Sequence, residues 1–243
     1  MPMNQLPPDT RAFRVLAIDV LDRDIRILRI APADGGRFGF AAGQYVRLHL
    51  AEGLQRDYSI ASAPGDDGQA DALEFHIRIS GGAGSRFIAE QLAIGDVIGV
   101  EGPLGTAFWR SRHTGLALLV AGGSGLAPML AIAEAATDGR HDEDIVLYAG
   151  VREPADLYCA DRLAAIAAAN PRFRQVLLLS TGDPPDARWR TGLPGEAIRA
   201  DFTDLAGAKA FLAGPAAMIA HTVPILLGLG IAAEDIHSDG YDN

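Results

Sequence analysis

The sequence predicts a two-domain protein in which an antiparallel Greek-key β-barrel is followed by an α/β domain with a parallel sheet. From residue 11 to about residue 110, short stretches alternate apolar and polar residues between Gly, Pro and Asp turns. From residue 116 onward, continuous apolar runs alternate with helical patterns, which is typical of a parallel sheet covered by helices. We therefore place the two domains at 11–110 and 115–243.

The first half contains six predicted strands and one predicted helix. Residues 13–32 predict two strands around an Asp-Arg-Asp turn, and GQYVRLHLA, RDYSIASA, LEFHIRIS and DVIGVEGP predict four more. One predicted helix, SRFIAEQLA (85–93), interrupts the strands before the last of them, with Ser85 as its expected N-cap. Many short strands at near-regular spacing indicate a small antiparallel barrel.

The second half contains four predicted strands and three predicted helices. The strands are ALLVAGG, IVLYAG, FRQVLLLS and AKAFLAG, and the helices are APMLAIAEAATDGR, DLYCADRLAAIAAAN and AMIAHTVPILLGLG. The charged, turn-like segment at 109–115 separates this half from the first. Two long apolar runs, at 115–133 and 211–233, are each broken by Gly and Pro, which favours buried strand-turn-helix units over membrane spans.

Composition excludes several classes of function. A net charge of −10 argues against a nucleic-acid partner, because phosphate neutralisation needs clustered cations. Cys159 is the single cysteine and the six histidines lie far apart, so we expect no metal site. We expect Cys159 to be a buried helix residue. The N-terminal ten residues lack an apolar core typical of a signal peptide, and we expect a cytoplasmic protein without a membrane partner.

The segment AGGSGLAPM at 121–129 is the clearest ligand-binding signal. It follows a predicted buried strand and begins a predicted helix, where Gly122, Gly123 and Gly125 allow a tight turn and a close ligand approach. The free N–H groups and the positive dipole end of such a helix favour a pyrophosphate. Pro128 falls in the first helical turn, where its missing N–H costs little.

Two further segments in the first half suggest a ligand with a phosphate and a flat ring. RISGGAGSRFIAE at 78–90 places three glycines before a helix start, which again suggests an anion-binding loop, with a flexible hairpin as the alternative. RDYSIAS at 56–62 supplies Arg56 for a phosphate, Tyr58 for ring packing and Ser59 for hydrogen bonding. Strict alternation separates Ser59 from the other two, so all three serve one ligand only if the strand twists or ends there.

These motifs resemble, in order, those of the ferredoxin–NAD(P)H reductase superfamily, most closely the NADH-dependent FAD reductase modules of bacterial oxygenase systems. The similar segments are GFAAGQYV (39–46), RDYSIAS (56–62), GGAGSRFI (81–88), GPLG (102–105), AGGSGLAP (121–128), YAGVREPADLY (148–158) and FLAGPAAM (211–218). The resemblance implies a flavin-binding barrel, a nucleotide-binding α/β domain and hydride transfer at the cleft between them.

The resemblance also implies roles for individual residues. Those implied for the flavin are Arg56 at its phosphate, Tyr58 along the ribityl chain and ring, Ser59 at N5, His76, Ile77 and Arg78 on the adenine-side strand, and Gly84 and Ser85 at the pyrophosphate. Those implied for NADH are Gly122, Gly123, Gly125 and Pro128 at the phosphates, and Gly214, Pro215 and Met218 beside the nicotinamide. Ser59, Tyr58 and Tyr241 are the implied catalytic residues, with Tyr241 over the ring face or, alternatively, in a frayed tail.

Asp183 predicts a preference for NADH over NADPH. Relatives that bind NADPH have an Arg directly after the Ser that ends the strand before the 2′-phosphate site. Here the corresponding strand, FRQVLLLS, ends at Ser180, which is followed by Thr181, Gly182 and Asp183. An acidic side chain disfavours the extra phosphate and can accept a hydrogen bond from a ribose hydroxyl. Arg152 leaves NADPH open as the alternative donor.

The expected activity is transfer of hydride from NADH to FAD and of electrons to a separate acceptor. One cysteine is too few for an iron–sulfur cluster, so we expect the acceptor to be a ferredoxin or an iron–sulfur oxygenase component. Two alternatives stay open: a free-flavin reductase that releases its flavin, and a redox-sensing interaction module that binds FAD and NADH with little turnover.

Overall fold

The computed structural model describes residues 7, 9–22, 24–110, 113–137 and 144–241. These residues form two compact units, and the chain passes from one to the other between Gly105 and Thr106. The central Arg23 of the expected Asp-Arg-Asp turn, and residues 111–112 of the expected boundary segment, lie outside the described residues. None of the helices in the described ranges is long and apolar enough to span a membrane.

The first unit is an antiparallel sheet with one helix. Its strands are β1 (Arg11–Asp22), β2 (Ile25–Pro32), β3 (Phe38–Gly39), β4 (Tyr45–Ala51), β5 (Leu54–Ser59), β6 (Gln69–Ala70), β7 (Leu73–Arg78) and β8 (Val97–Leu104). Six of them are ordered β5-β4-β8-β1-β2-β7, β3 pairs with β6, and the helix is α1 (Ala83–Glu90). This arrangement confirms the predicted antiparallel barrel domain.

Side-chain alternation builds the core of the first unit. Val46, Leu48 and Leu50 in β4 point into a buried cluster, and Leu73 and Phe75 in β7 do the same. The residues between them face outward, because successive side chains of a strand lie on opposite faces. The prediction that Ser85 caps α1 is wrong: Gly82 occupies the N-cap position, and the Ser85 hydroxyl donates to the Gly82 carbonyl at 3.1 Å.

The second unit is a parallel sheet with helices. Its elements are β9 (Ala117–Gly122), α2 (Leu126–Ala136), β10 (Ile145–Val151), α3 (Ala160–Ala169), β11 (Phe173–Leu179), β12 (Trp189–Thr191), α4 (Pro194–Asp201), β13 (Lys209–Pro215), α5 (Ala216–Gly228) and β14 (Ile236–Tyr241). The sheet order is β12-β11-β10-β9-β13-β14, and all of its ladders are parallel. The predicted parallel α/β domain is therefore confirmed.

The three central strands of the second unit's sheet, β9, β10 and β13, are buried along most of their length. All six residues of β9 are buried, as expected for a central strand in a parallel sheet. Cys159 is buried as predicted, but it occupies the N-cap position before α3 and does not lie within the helix. The sequence analysis missed β12, α4 and β14, of which β14 occupies the segment for which a frayed tail was the alternative. Among the described residues, no group of His, Cys, Asp or Glu could hold a metal ion.

Candidate functional site

In the first unit, a candidate site forms where β5 lies against the start of α1. A Cβ atom at Gly84 would lie 2.5 Å from Cγ of Arg56 and 3.3 Å from the hydroxyl oxygen of Tyr58. Only glycine at this position lets both side chains lie against the helix start without displacement. The structure thus brings together the two segments, 56–62 and 78–90, that the sequence analysis assigned to one ligand.

Charge at this site favours an anion. The Arg56 guanidinium donates to the Gln55 carbonyl at 2.6 Å and forms no ion pair with a carboxylate in the described ranges. On the neighbouring strand, by contrast, Arg47 makes two hydrogen bonds to Asp57, at 2.7 and 3.0 Å. The first turn of α1 contains no acidic residue, so its free N–H groups add to the positive potential. The charge of Arg56 and these N–H groups together favour an anion such as a phosphate.

Tyr58 and Ser59 lie at the end of β5. Tyr58 is opposite Val46, whose side chain is in the core, and Ser59 is opposite Tyr45 on the other face. Burial raises the pKa of Tyr58 to about 12, against the opposing effect of the Arg56 charge, so the phenol is neutral at ordinary pH. Since β5 ends at Ser59, the condition under which all three residues can serve one ligand is met.

The other predicted flavin residues lie on β7 and α1. His76 is buried, with Nε2 3.1 Å from the carboxylate of Glu74, and Ile77 lies in the core. Because neither side chain is accessible, these residues can contribute to a ligand site mainly through their backbone. Arg78 is the last residue of β7, and Ser85 is buried in the first turn of α1.

In the second unit, the candidate site lies at the carboxyl ends of β9 and β13. The chain runs from β9 through β10 to β11 on one side, whereas β13 pairs with the opposite edge of β9. The crevice at such a reversal of strand order is where open α/β sheets bind nucleotides. The predicted residues Gly122, Gly125, Gly214 and Pro215 all lie there.

These residues are in unusually close contact. A Cβ atom at Gly125 would lie 2.0 Å from the carbonyl oxygen of Ala213, a backbone atom that cannot swing away. A Cβ atom at Gly122 would meet Sδ of Met218 at 2.7 Å and Cδ of Pro215 at 2.9 Å. The two turns therefore form one glycine-lined surface, with the Met218 thioether between them. Glycine at 122 and 125 thus lets the two turns pack directly against each other, while the open space of this surface lies beside Gly123.

The remaining predicted nucleotide residues differ in exposure. Gly123 has a φ of +56° and open space beside its Cα. Pro128 is buried in α2, so it can support the turn only by packing. Asp183 is exposed in the loop after β11, near Thr181, whose hydroxyl donates to the Arg152 carbonyl at 3.4 Å.

Strand β14 completes this edge of the sheet. Asp239 lies opposite Ala213 in the parallel ladder, and Tyr241, of which only the backbone is described, lies opposite Pro215. Burial raises the pKa of Asp239 to about 6. The carboxylate of Asp239 has no hydrogen-bond partner among the described residues. Strand β14 was missed because its sequence, IHSDGY, contains three consecutive polar residues and a glycine, and few apolar ones.

Comparison with known proteins identifies the class. Residues 12–109 match the oxidoreductase FAD-binding domain, and residues 119–223 match the oxidoreductase NAD-binding domain. The chain is therefore an oxidoreductase whose cofactors are FAD and NAD(P)H. The glycine cradles and the uncompensated Arg56 described above fit phosphate-bearing cofactors of this kind.

Similarity over nearly the whole chain identifies the family. The chain is 38% identical over 228 residues to the ferredoxin–NAD(P)+ reductase component of the naphthalene 1,2-dioxygenase system of Pseudomonas putida, covering 93% of this chain and 67% of that protein. It is 35% identical to the reductase subunit of an aromatic O-demethylase of Amycolatopsis, covering 93% and 68%. The chain belongs to this family of NAD(P)H-dependent reductase components of oxygenase systems.

Solved structures agree with this assignment. The crystal structure of an Amycolatopsis cytochrome P450 reductase matches with a TM-score of 0.83 and 34% identity, covering 96% of this chain and 70% of that chain. A ferredoxin NADP+ reductase from Neisseria gonorrhoeae, solved with bound FAD and NADP, has the same fold, with a TM-score of 0.81 at 24% identity over 96% of this chain and 99% of that one.

Proposed function

We propose that the chain takes hydride from NADH onto FAD and delivers the electrons to a separate iron–sulfur protein. The observation that carries this proposal is the presence of two glycine-lined cradles, one in each unit. One places Gly84 against Arg56, and the other places Gly125 against Ala213. When bound, FAD supplies the redox chemistry, because it accepts two electrons as hydride and can release them singly.

We propose residues 11–110 as the FAD-binding domain and 115–243 as the NAD(P)-binding domain. Within the first, Arg56 and the N–H groups at the start of α1 bind phosphate, and the neutral phenol of Tyr58 packs on the flavin. The Ser59 hydroxyl, which makes no hydrogen bond within the described residues, is available to the flavin ring. The further residues proposed for FAD are His76, Ile77, Arg78, Gly84 and Ser85.

In the second domain, the turns at 122–125 and 214–215 bind the NADH phosphates and border the nicotinamide. The residues proposed for this role are Gly122, Gly123, Gly125, Pro128, Gly214, Pro215 and Met218. Tyr241 is proposed as the residue that covers the flavin ring on the nicotinamide side. We also propose a cytoplasmic location, where NADH is available, and fractionation of cells tests it.

Asp183 supports a preference for NADH. It is exposed in the loop after β11, where a carboxylate would repel a 2′-phosphate and accept from a ribose hydroxyl. Arg152, at the end of the neighbouring strand β10, forms no ion pair in the described part of the chain and supports NADPH instead. Measurement of kcat/KM for NADH and for NADPH tests this preference. We expect kcat/KM to be about tenfold higher with NADH, and a tenfold higher value with NADPH would contradict the proposal.

The relatives support an oxygenase-linked acceptor. Their names describe a ferredoxin–NAD(P)+ reductase component of a naphthalene 1,2-dioxygenase system and a ferredoxin–NAD+ reductase component of an alkene monooxygenase system. The single cysteine, Cys159, is buried and cannot by itself ligate an iron–sulfur cluster. We therefore place the acceptor outside these 243 residues, as a ferredoxin or an iron–sulfur oxygenase component.

Stopped-flow reduction tests the proposal directly. The protein purified with FAD is reduced by NADH and then mixed with candidate ferredoxins or with free FMN. Reoxidation by a ferredoxin, with near-stoichiometric FAD retained, is expected. Colourless protein that reduces only added FMN would instead establish a free-flavin reductase, and tight nucleotide binding without turnover would indicate a sensing module.

A further inference from the structure

The segment that begins the second unit is anchored to the edge strand of its sheet by one arginine. Arg110 donates to the Phe108 carbonyl at 3.0 Å and to the Thr106 carbonyl at 3.2 Å, and its guanidinium lies 4.2 Å from the Phe108 ring centroid. Its Nη1 also lies 3.3 Å from Nε2 of His237 in β14. Arg110 forms no ion pair with a carboxylate in the described ranges, so its guanidinium interacts with the two carbonyls, the Phe108 ring and His237.

The His237 ring is held in place by aromatic packing and by its contact with Arg110. The His237 ring packs against Phe211 in β13, with ring centroids 5.2 Å apart. The Trp109 ring also packs against Phe211, with ring centroids 6.0 Å apart. Because an arginine can only donate, Nε2 of His237 must accept, which requires the neutral ring with its proton on Nδ1. Arg110 therefore selects one charge state and one tautomer of His237.

Strand β14 needs such an anchor because it is an edge strand that pairs only with β13. Two residues after His237, Asp239 lies opposite Ala213, and the Ala213 carbonyl is the group against which Gly125 packs. A short path of direct contacts thus connects Arg110 to the glycine turns. At the same amino-terminal end of β14, Lys209 and Asp235 form an ion pair next to His237.

We propose that Arg110 is a positioning residue for nicotinamide-nucleotide binding, acting through His237 to hold β14 beside β13. This inference rests on the proposed function, because the turns at 122–125 and 214–215 are taken as the nucleotide site. Among the described residues, Arg110 makes no hydrogen bond or ion pair to either of those turns. Its effect is on the affinity for NADH rather than on the chemical step.

The contact also makes NADH affinity dependent on pH. The charged groups that face His237 are Arg110 from the segment before the sheet, Lys209 from β13 and Asp235 before β14. Burial first, then Arg110 and Lys209, lower the pKa of His237, while Asp235 opposes them. As pH falls below 6.5 toward the lowered pKa, protonation places two cations side by side and the contact is lost.

The test uses the full chain with FAD and measures KM for NADH, kcat and the thermal midpoint. We expect Arg110→Ala to raise KM about tenfold with kcat within about twofold, as for loss of uniform binding. His237→Gln, whose amide oxygen can accept from Arg110, should keep KM near wild type and abolish the rise of KM at low pH. The KM of the double variant Arg110→Ala/His237→Ala should equal that of either single alanine variant, because the two residues act through one contact and their effects should not multiply.

Arg199→Ala is the matched control, since it removes an exposed arginine of the same unit that pairs with Glu196 at 3.5 Å. Its KM should not change. A lower thermal midpoint for Arg110→Ala with KM unchanged, or multiplied effects in the double variant, would overturn the inference. Failure of the wild-type protein to oxidise NADH at all would refute the proposed function instead, so the two failures are distinguishable.

Discussion

Substitution of Gly125 by alanine tests the assignment of the nucleotide site. The added Cβ would lie 2.0 Å from the Ala213 carbonyl oxygen, 2.3 Å from its carbon and 2.8 Å from the Gly214 nitrogen. All three are backbone atoms of the adjacent turn. Restoring an ordinary contact of 3.4 Å requires the two turns to separate by about 1.4 Å.

This separation should weaken both folding and NADH binding. Overpacking of a tight interior contact costs about 1–3 kcal/mol, and we expect the free energy of unfolding to fall by an amount near the upper end. Because a shift of about 1 Å in a positioning group can cost two orders of magnitude, NADH affinity should fall by at least about tenfold. FAD content should be retained, since the predicted FAD residues lie in the other unit.

Gly207→Ala is the matched control elsewhere in the second unit. Gly207 has a φ of +79° with no atom within 4 Å of its added Cβ, so alanine there introduces backbone strain without a clash. The cost should be about 1–2 kcal/mol in stability with a small effect on NADH. Urea denaturation and flavin reduction by NADH measure both variants. If Gly125→Ala binds NADH within twofold of wild type while folded, the close-contact argument is refuted.

Three further predictions follow from individual contacts. Gly84→Ala should displace the stem of Arg56 and weaken FAD binding by about tenfold, since a charge-assisted contact to phosphate is lost; unchanged FAD titration would contradict it. Burial in the folded state raises the pKa of Asp239 from 3.8 to about 6, so the ionised carboxylate destabilises the fold progressively as pH rises between these values. Asp239→Asn should therefore stabilise the protein at pH 8 by on the order of 1 kcal/mol, after allowance for partial solvent screening. It should not stabilise the protein at pH 4. Equal gains at both pH values in urea denaturation would refute this cause. Tyr148→Phe removes a 2.9 Å hydrogen bond from the buried phenol to Asp201 and should cost about 1–2 kcal/mol in thermal or urea unfolding, with NADH kinetics unchanged.

Local sequence pattern predicted most of the strands and helices and both glycine turns. The alternation in β4 and β7, and the continuous apolar run of β9, are set by which face of each strand is buried, and this information is local. The segments β12 and α4 escaped prediction because β12 has three residues, and α4 has eight and begins with a Pro-Gly pair that is typical of a turn. Strand β14 escaped because the pairing that defines it, with β13, is not encoded in its own composition.

By itself, the sequence determined the order of the two architectures, the buried faces and the positions of the glycine-rich turns, because periodicity and turn chemistry act over a few residues. Only the tertiary structure decided which distant groups touch: Gly84 against Arg56, Gly125 against the Ala213 carbonyl, and Arg110 against His237. Such contacts depend on strand order and register, which result from packing of the whole unit. The physical reason is that a close approach between two backbones is a property of both segments together and leaves no pattern in either one alone.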